Sequence, residues 1–195
     1  MSVPYFISTV GNIAWLFIPL RQKGTTYFYY FLVLAISCVF SFIDRFFLIH
    51  PARIYLGVFF FLIISLFNFK KIPNYVLFLI GVLIISIILP FLLSIRIITV
   101  CLIIQHAIIF FIILKRTILY SYREERINLF QFILLLYEIT LVTRFMVVLH
   151  NIKTSIIYFY LTAAFGILIG IFFLFYNVEN SPEFRLTSKD IANPD

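Results

Sequence analysis

Seven apolar runs dominate the chain, at residues 3–20, 27–49, 53–69, 74–94, 97–114, 128–149 and 154–176. A helix crossing ~30 Å of hydrocarbon needs about 20 such residues. The third run is the shortest. Membrane β-strands would be about 10 residues long with strict alternation. These runs are longer and apolar on all sides, so they predict helices.

Composition sharpens this. Hydrophobic residues make up 64% of the chain and charged residues 12%, against ~25% charged in a soluble domain. A soluble globular enzyme, a disordered chain and a secreted disulfide scaffold are all excluded. The expected fold is an all-α polytopic membrane bundle of seven transmembrane helices. It forms one domain over residues 1–176, with a polar tail at 177–195 whose default is weak order.

The N-terminus has neither a basic n-region nor a small-x-small cleavage pattern, so the first run is expected to be a retained span. No lipidation motif is visible. Cys38 and Cys101 lie inside apolar runs with no CxxC spacing, which predicts small buried hydrophobes. The excess of Ile, Phe and Tyr fits a codon bias and carries no functional reading.

Breaks between runs carry turn or stop signals: residues 21–24, 50–53 and 70–74. The break near Arg96 is the weakest, and 74–114 reads as a tight helical hairpin with Pro90 kinking or ending its first arm. Lys and Arg counts set direction. With the N-terminus outside, the inner side holds Arg21, Lys23, Lys70, Lys71, Lys115, Arg116, Arg123, Arg126, Arg185 and Lys189. The outer side holds Arg45, Arg53, Arg96 and Lys153. The bias favours N-outside and C-cytoplasmic. A net charge of +7 then reflects topology signals and anionic-lipid contacts, and no nucleic-acid partner is expected.

The longest break, 115–128, places Lys115, Arg116, Arg123 and Arg126 around Ile118, Leu119, Tyr120 and Tyr122. It reads either as a solvated, lipid-facing basic loop or as an amphipathic continuation of the fifth helix that docks a protein partner.

Ionisable groups at membrane depth are costly and face the bundle interior or a wet cavity. Glu138 and His106 lie near the middle of their runs. Gln105 adjoins His106, and Gln131 lies two turns before Glu138 on nearly the same face. Asn12 and Ser37 reach similar depth. A candidate mid-membrane polar site therefore comprises Asn12, Gln105, His106, Gln131 and Glu138, with interhelical hydrogen bonding as its plainer reading. A candidate outer cluster comprises Asp44, Arg45, His50, Arg144 and His150, in which Asp44 would neutralise Arg144. It reads either as an outward-facing binding vestibule or pH-sensitive surface carrying two histidines or, more plainly, as a structural ion pair with a snorkelling Arg45. Thr162, Gly166 and Gly170 recur every four residues, a spacing that lets helix backbones approach, within the bundle or between subunits.

No HExxH, GxSxG, Walker A or GxGxxG motif occurs. Three histidines, only one mid-span, argue against a multi-haem protein. The seventh span has no lysine for a retinal Schiff base. No nucleophile sits beside a placed base, so a non-enzymatic protein without metal or cofactor is expected.

The stretches INLFQFILLLYEITLVTRF (127–145) and IIYFYLTAAFGILIGIFFLFY (156–176) resemble small multi-spanning bacterial proteins encoded beside membrane sensor histidine kinases. The likeness covers about 40 residues, and Glu138 and Arg144 are the positions it carries over. It implies a sensory or accessory role in the bacterial inner membrane. With small size and short loops, it predicts a subunit acting through a protein partner or a second copy, in contact with the lipid bilayer. A small transporter or channel using the mid-membrane polar groups is the alternative. A lipid-processing intramembrane enzyme is a third, less supported reading.

Overall fold

The computed structural model describes residues 3–47, 51–66, 75–150, 152 and 156–185. Seven helices account for nearly all of them: α1 Val3–Arg21, α2 Phe28–Phe47, α3 Pro51–Ser65, α4 Tyr75–Leu92, α5 Ile95–Glu124, α6 Leu129–Leu149 and α7 Ile156–Phe175. Two short strands, β1 Arg126–Asn128 and β2 Glu183–Arg185, complete the structure. The fold is all-helical apart from this ribbon. Helices α5 and α6 are each long and apolar enough to cross a membrane.

Helix neighbours define the architecture. Helix α1 packs on α2 and α7, α2 on α3, α3 on α5, α5 on α6, and α6 on α7. These contacts close a six-helix ring. Helix α4 lies outside it, packed on α3. The reason is Gly57: a Cβ there would stand 2.7 Å from the Ser86 carbonyl oxygen. Only glycine lets the two backbones come this close. The hairpin expected over 74–114 is therefore two helices joined by a short turn and seated on α3 rather than on each other. Pro90 lies inside α4, two residues before its end. Ser94 caps α5, and its hydroxyl accepts from the Ile97 amide at 3.5 Å.

Aromatic rings fill the ring's centre. Phe31, Phe130 and Phe173 meet edge to face at centroid distances of 4.9–6.0 Å. Trp15 stacks on Tyr137 at 4.6 Å and donates its indole N–H to the Gly166 carbonyl at 3.3 Å. A Cβ on Gly170 would lie 3.0 Å from the same indole nitrogen. Gly170 thus serves packing of α1 on α7 inside the bundle, whereas a Cβ on Gly166 would meet open space. Aromatic excess, assigned no role from composition, builds the core. Outward faces remain apolar: Leu77, Leu83, Ile87, Leu92, Phe111, Leu161 and Leu168 are all exposed.

One end of the bundle is stitched by polar contacts. Gln22, in the α1–α2 turn, donates its side-chain amide to the Phe173 and Tyr176 carbonyls at 3.1 and 2.9 Å. Arg21 donates to the Phe175 carbonyl at 3.2 Å. These bonds satisfy the carbonyls that end α7. Gly24, at φ +88°, lets the turn reverse. Arg116 donates to the Leu66 carbonyl just past α3, its guanidinium 5.7 Å from the Tyr27 ring centroid.

Residues 177–185 depart from the weak order expected of the tail. Asn177 accepts from the amides of Glu179 and Asn180, and Asn180 accepts in return from the Asn177 amide at 2.7 Å. These reciprocal turns aim β2 at β1, where Ile127 faces Phe184 in antiparallel register.

Candidate functional site

Helix α5 buries one stripe: Ile98, Leu102, Gln105, His106, Ile109 and Ile113. Helix α6 buries Gln131, Leu134, Leu135 and Glu138. Both stripes follow helical periodicity. Their meeting brings His106 Nδ1 to 2.7 Å from Glu138 Oε2, with both side chains fully buried. From α2, the fully buried Tyr30 donates its hydroxyl to Glu138 Oε1. One carboxylate thus takes a partner on each oxygen, from two different helices.

Residue type alone does not mark Tyr30 in the sequence. It stands in a run of aromatics, 27–31, where nothing in residue type separates it from its neighbours. Angular position does: Tyr27, Tyr30 and Leu34 share the buried face, while Tyr29 is exposed.

A charge sealed among apolar groups would be strongly disfavoured without partners, and Tyr30 and His106 answer both carboxyl oxygens of Glu138. Phe59 meets the imidazole edge-on at 4.9 Å, and Phe145 stacks on it at 5.6 Å. His106 Nε2 and the side-chain oxygens of Gln105 and Gln131 are buried and have no hydrogen-bond partner among the described residues.

The remaining candidates divide. Asn12 is half-buried on α1, which neighbours α2 and α7 rather than α5, and it makes no side-chain hydrogen bond to a described residue. Ser37 bonds back to the Leu34 carbonyl of its own helix at 2.7 Å. Asp44 and Arg45 lie in the last turn of α2, with their side chains outside the described residues, as is the whole of His50. Arg144 is exposed, without an ion pair to a described residue. His150 caps the end of α6 and lines a cavity with Arg96. Among the described residues no three His, Cys, Asp or Glu side chains gather as metal ligands.

At the basic end, α5 continues without a break through Lys115, Arg116 and Arg123, then stops at Glu125 in a left-handed conformation, φ 52°. Residues 115–124 are therefore a helical extension and not a loop. Lys115 and Arg123 point outward, while Arg116 is turned in to cap α3. Arg126 pairs with Glu183 at 3.1 Å, and Tyr120 donates to the other Glu183 oxygen. The hydrogen bond from Tyr120, and then that from Arg126, holds the Glu183 carboxyl below its ordinary value. Asn128 caps α6, accepting from the Phe130 amide at 3.0 Å while donating to the Val178 carbonyl at 2.9 Å. Ser181 Oγ also accepts from Phe130, at 2.9 Å, and the Pro182 carbonyl accepts from Leu129 at 3.0 Å.

No family model, curated protein or solved structure matches this chain.

Proposed function

We propose that the chain is a seven-span membrane protein acting as a sensory or accessory subunit, with its N-terminus outside and its basic end in the cytoplasm. The charge distribution supports the orientation. Arg21, Lys23, Lys115, Arg116, Arg123, Arg126 and Arg185 gather at one end, whereas Arg53 and Arg96 lie toward the other. Exposed apolar faces on α4 and α7 support the lipid contact. The polar extension and ribbon beyond the α5–α6 spans belong to the cytoplasmic side in this reading.

One observation carries the functional proposal. The helix that holds His106 runs unbroken to Glu124, about 27 Å further at ~1.5 Å per residue. A shift of the buried His106–Glu138–Tyr30 contact would therefore move the Lys115–Arg123 surface as a rigid arm, where a protein partner would read it. Two bundle packings biased by one buried contact are sufficient for such coupling.

Affinity purification in mild detergent tests this. A stoichiometric protein partner is expected, lost when Lys115 and Arg123 are both changed to Glu. A protein that purifies alone and instead moves ions in liposomes would overturn the subunit reading in favour of transport.

A further inference from the structure

Away from the basic end, the start of α5 and the end of α6 enclose a cavity of about 440 Å³, lined by Ile95, Arg96, Thr99, Val148, Leu149 and His150. That volume falls within the range of small-ligand sites. Arg96 brings a formal positive charge and His150 a ring N–H; both face solvent, and neither pairs with an acidic side chain among the described residues. Thr99, buried at the wall, commits its hydroxyl proton to the Ile95 carbonyl at 2.9 Å. Arg96 also stands in the first turn of a 30-residue helix, whose opening amides carry partial positive charge.

We propose that this cavity binds a phosphate group, carried by a free solute or by a lipid head. The Arg96 guanidinium would take the phosphate oxygens as a fork. His150 would donate from the α6 side, and Ile95, Val148 and Leu149 would form an apolar wall for the rest of the ligand. The site also lies above the buried pair. Thr99 precedes His106 by two turns on the same face of α5. Leu149 follows, by one turn of α6, the Phe145 ring that stacks on the imidazole. Phosphate binding at this cavity does not depend on the subunit reading, and either can fail alone.

Full-length protein in detergent is titrated with inorganic phosphate by calorimetry. In parallel, native mass spectrometry follows retention of phosphatidylglycerol. Arg96→Gln is expected to weaken binding about tenfold, the loss of a charge-assisted contact, and His150→Gln to weaken it less. Arg53→Gln, which removes a cation whose guanidinium lies 5.7 Å from the Phe91 ring centroid, should leave binding unchanged. Phosphate binding by calorimetry assigns a free solute. Lipid retention sensitive to Arg96, without phosphate binding, assigns a headgroup. If neither probe binds, or if Arg96→Gln and Arg53→Gln behave alike, the proposal is wrong. Should Arg96→Gln fail to fold, Arg96→Lys and His150→Gln make the same comparison.

Discussion

Glu138 is answered on both oxygens, so removing it strands two partners at once. Glu138→Ala is expected to destabilise the bundle by about 3 kcal/mol, the range for breaking a buried pair by deleting one member. His106→Leu combined with Glu138→Leu should recover only the part due to His106, because the buried Tyr30 hydroxyl stays unpartnered. A double-mutant cycle in detergent unfolding measures the coupling, and additive single effects would show that the contact carries no energy. Both residues were legible as ionisable groups at membrane depth. Their convergence was not, because helix rotation and neighbour order do not follow from one chain. Tyr30 is not legible for a different reason: tyrosine is tolerated anywhere along an apolar run, so its hydroxyl gives no signal until the facing carboxylate is located. The same limit applies to Asn12, since depth says nothing about which neighbours a helix has.

At the level of elements, run lengths located all seven helices closely, but polar residues misplaced the end of α5. Lys115 and Arg116 mark the end of an apolar run, yet neither breaks a helix, and no Gly or Pro occurs before Glu125. Hydropathy therefore closed α5 ten residues early. The α6 boundary depends on its cap. Asn128→Ala should cost about 1 kcal/mol, read in thermal unfolding. Helix α4 depends on a single close approach. Gly57→Leu is expected to push α4 off α3 while leaving the ring folded, because the atom it meets is backbone and cannot rotate away. A cysteine at Ser86, buried at the seat in the native packing, would report the separation through its thiol labelling. Unchanged labelling in the Gly57→Leu background would show that the seat is not obligatory.

Over the whole molecule, sidedness and the ribbon give the sharpest tests. With the basic end cytoplasmic, a membrane-impermeant thiol reagent applied to intact cells should label Arg96→Cys and spare Lys23→Cys. The reverse pattern would invert the topology. The ribbon should respond to acid. Glu183 has a lowered folded value, so its contribution is complete above the usual 4.5 and is lost as pH falls through that lowered value. Pepsin cleavage near Phe184 should accordingly rise at the acid end for the native chain. In Glu183→Gln, which cannot ionise, the acid-dependent increase should be absent. The pairing of residues 126–128 with 183–185 was not legible in the sequence. Three-residue strands have no periodicity to detect, and the contact joins segments over 50 residues apart.

That separation also sets an order of events during synthesis. The amides that open α6 are closed by Ser181 and Pro182, which leave the ribosome only after α7. Until they arrive, the amides of that first turn have only Asn128 as a cap. The start of α6 is therefore completed late, by the last described segment to be made, on a helix that already packs along α5.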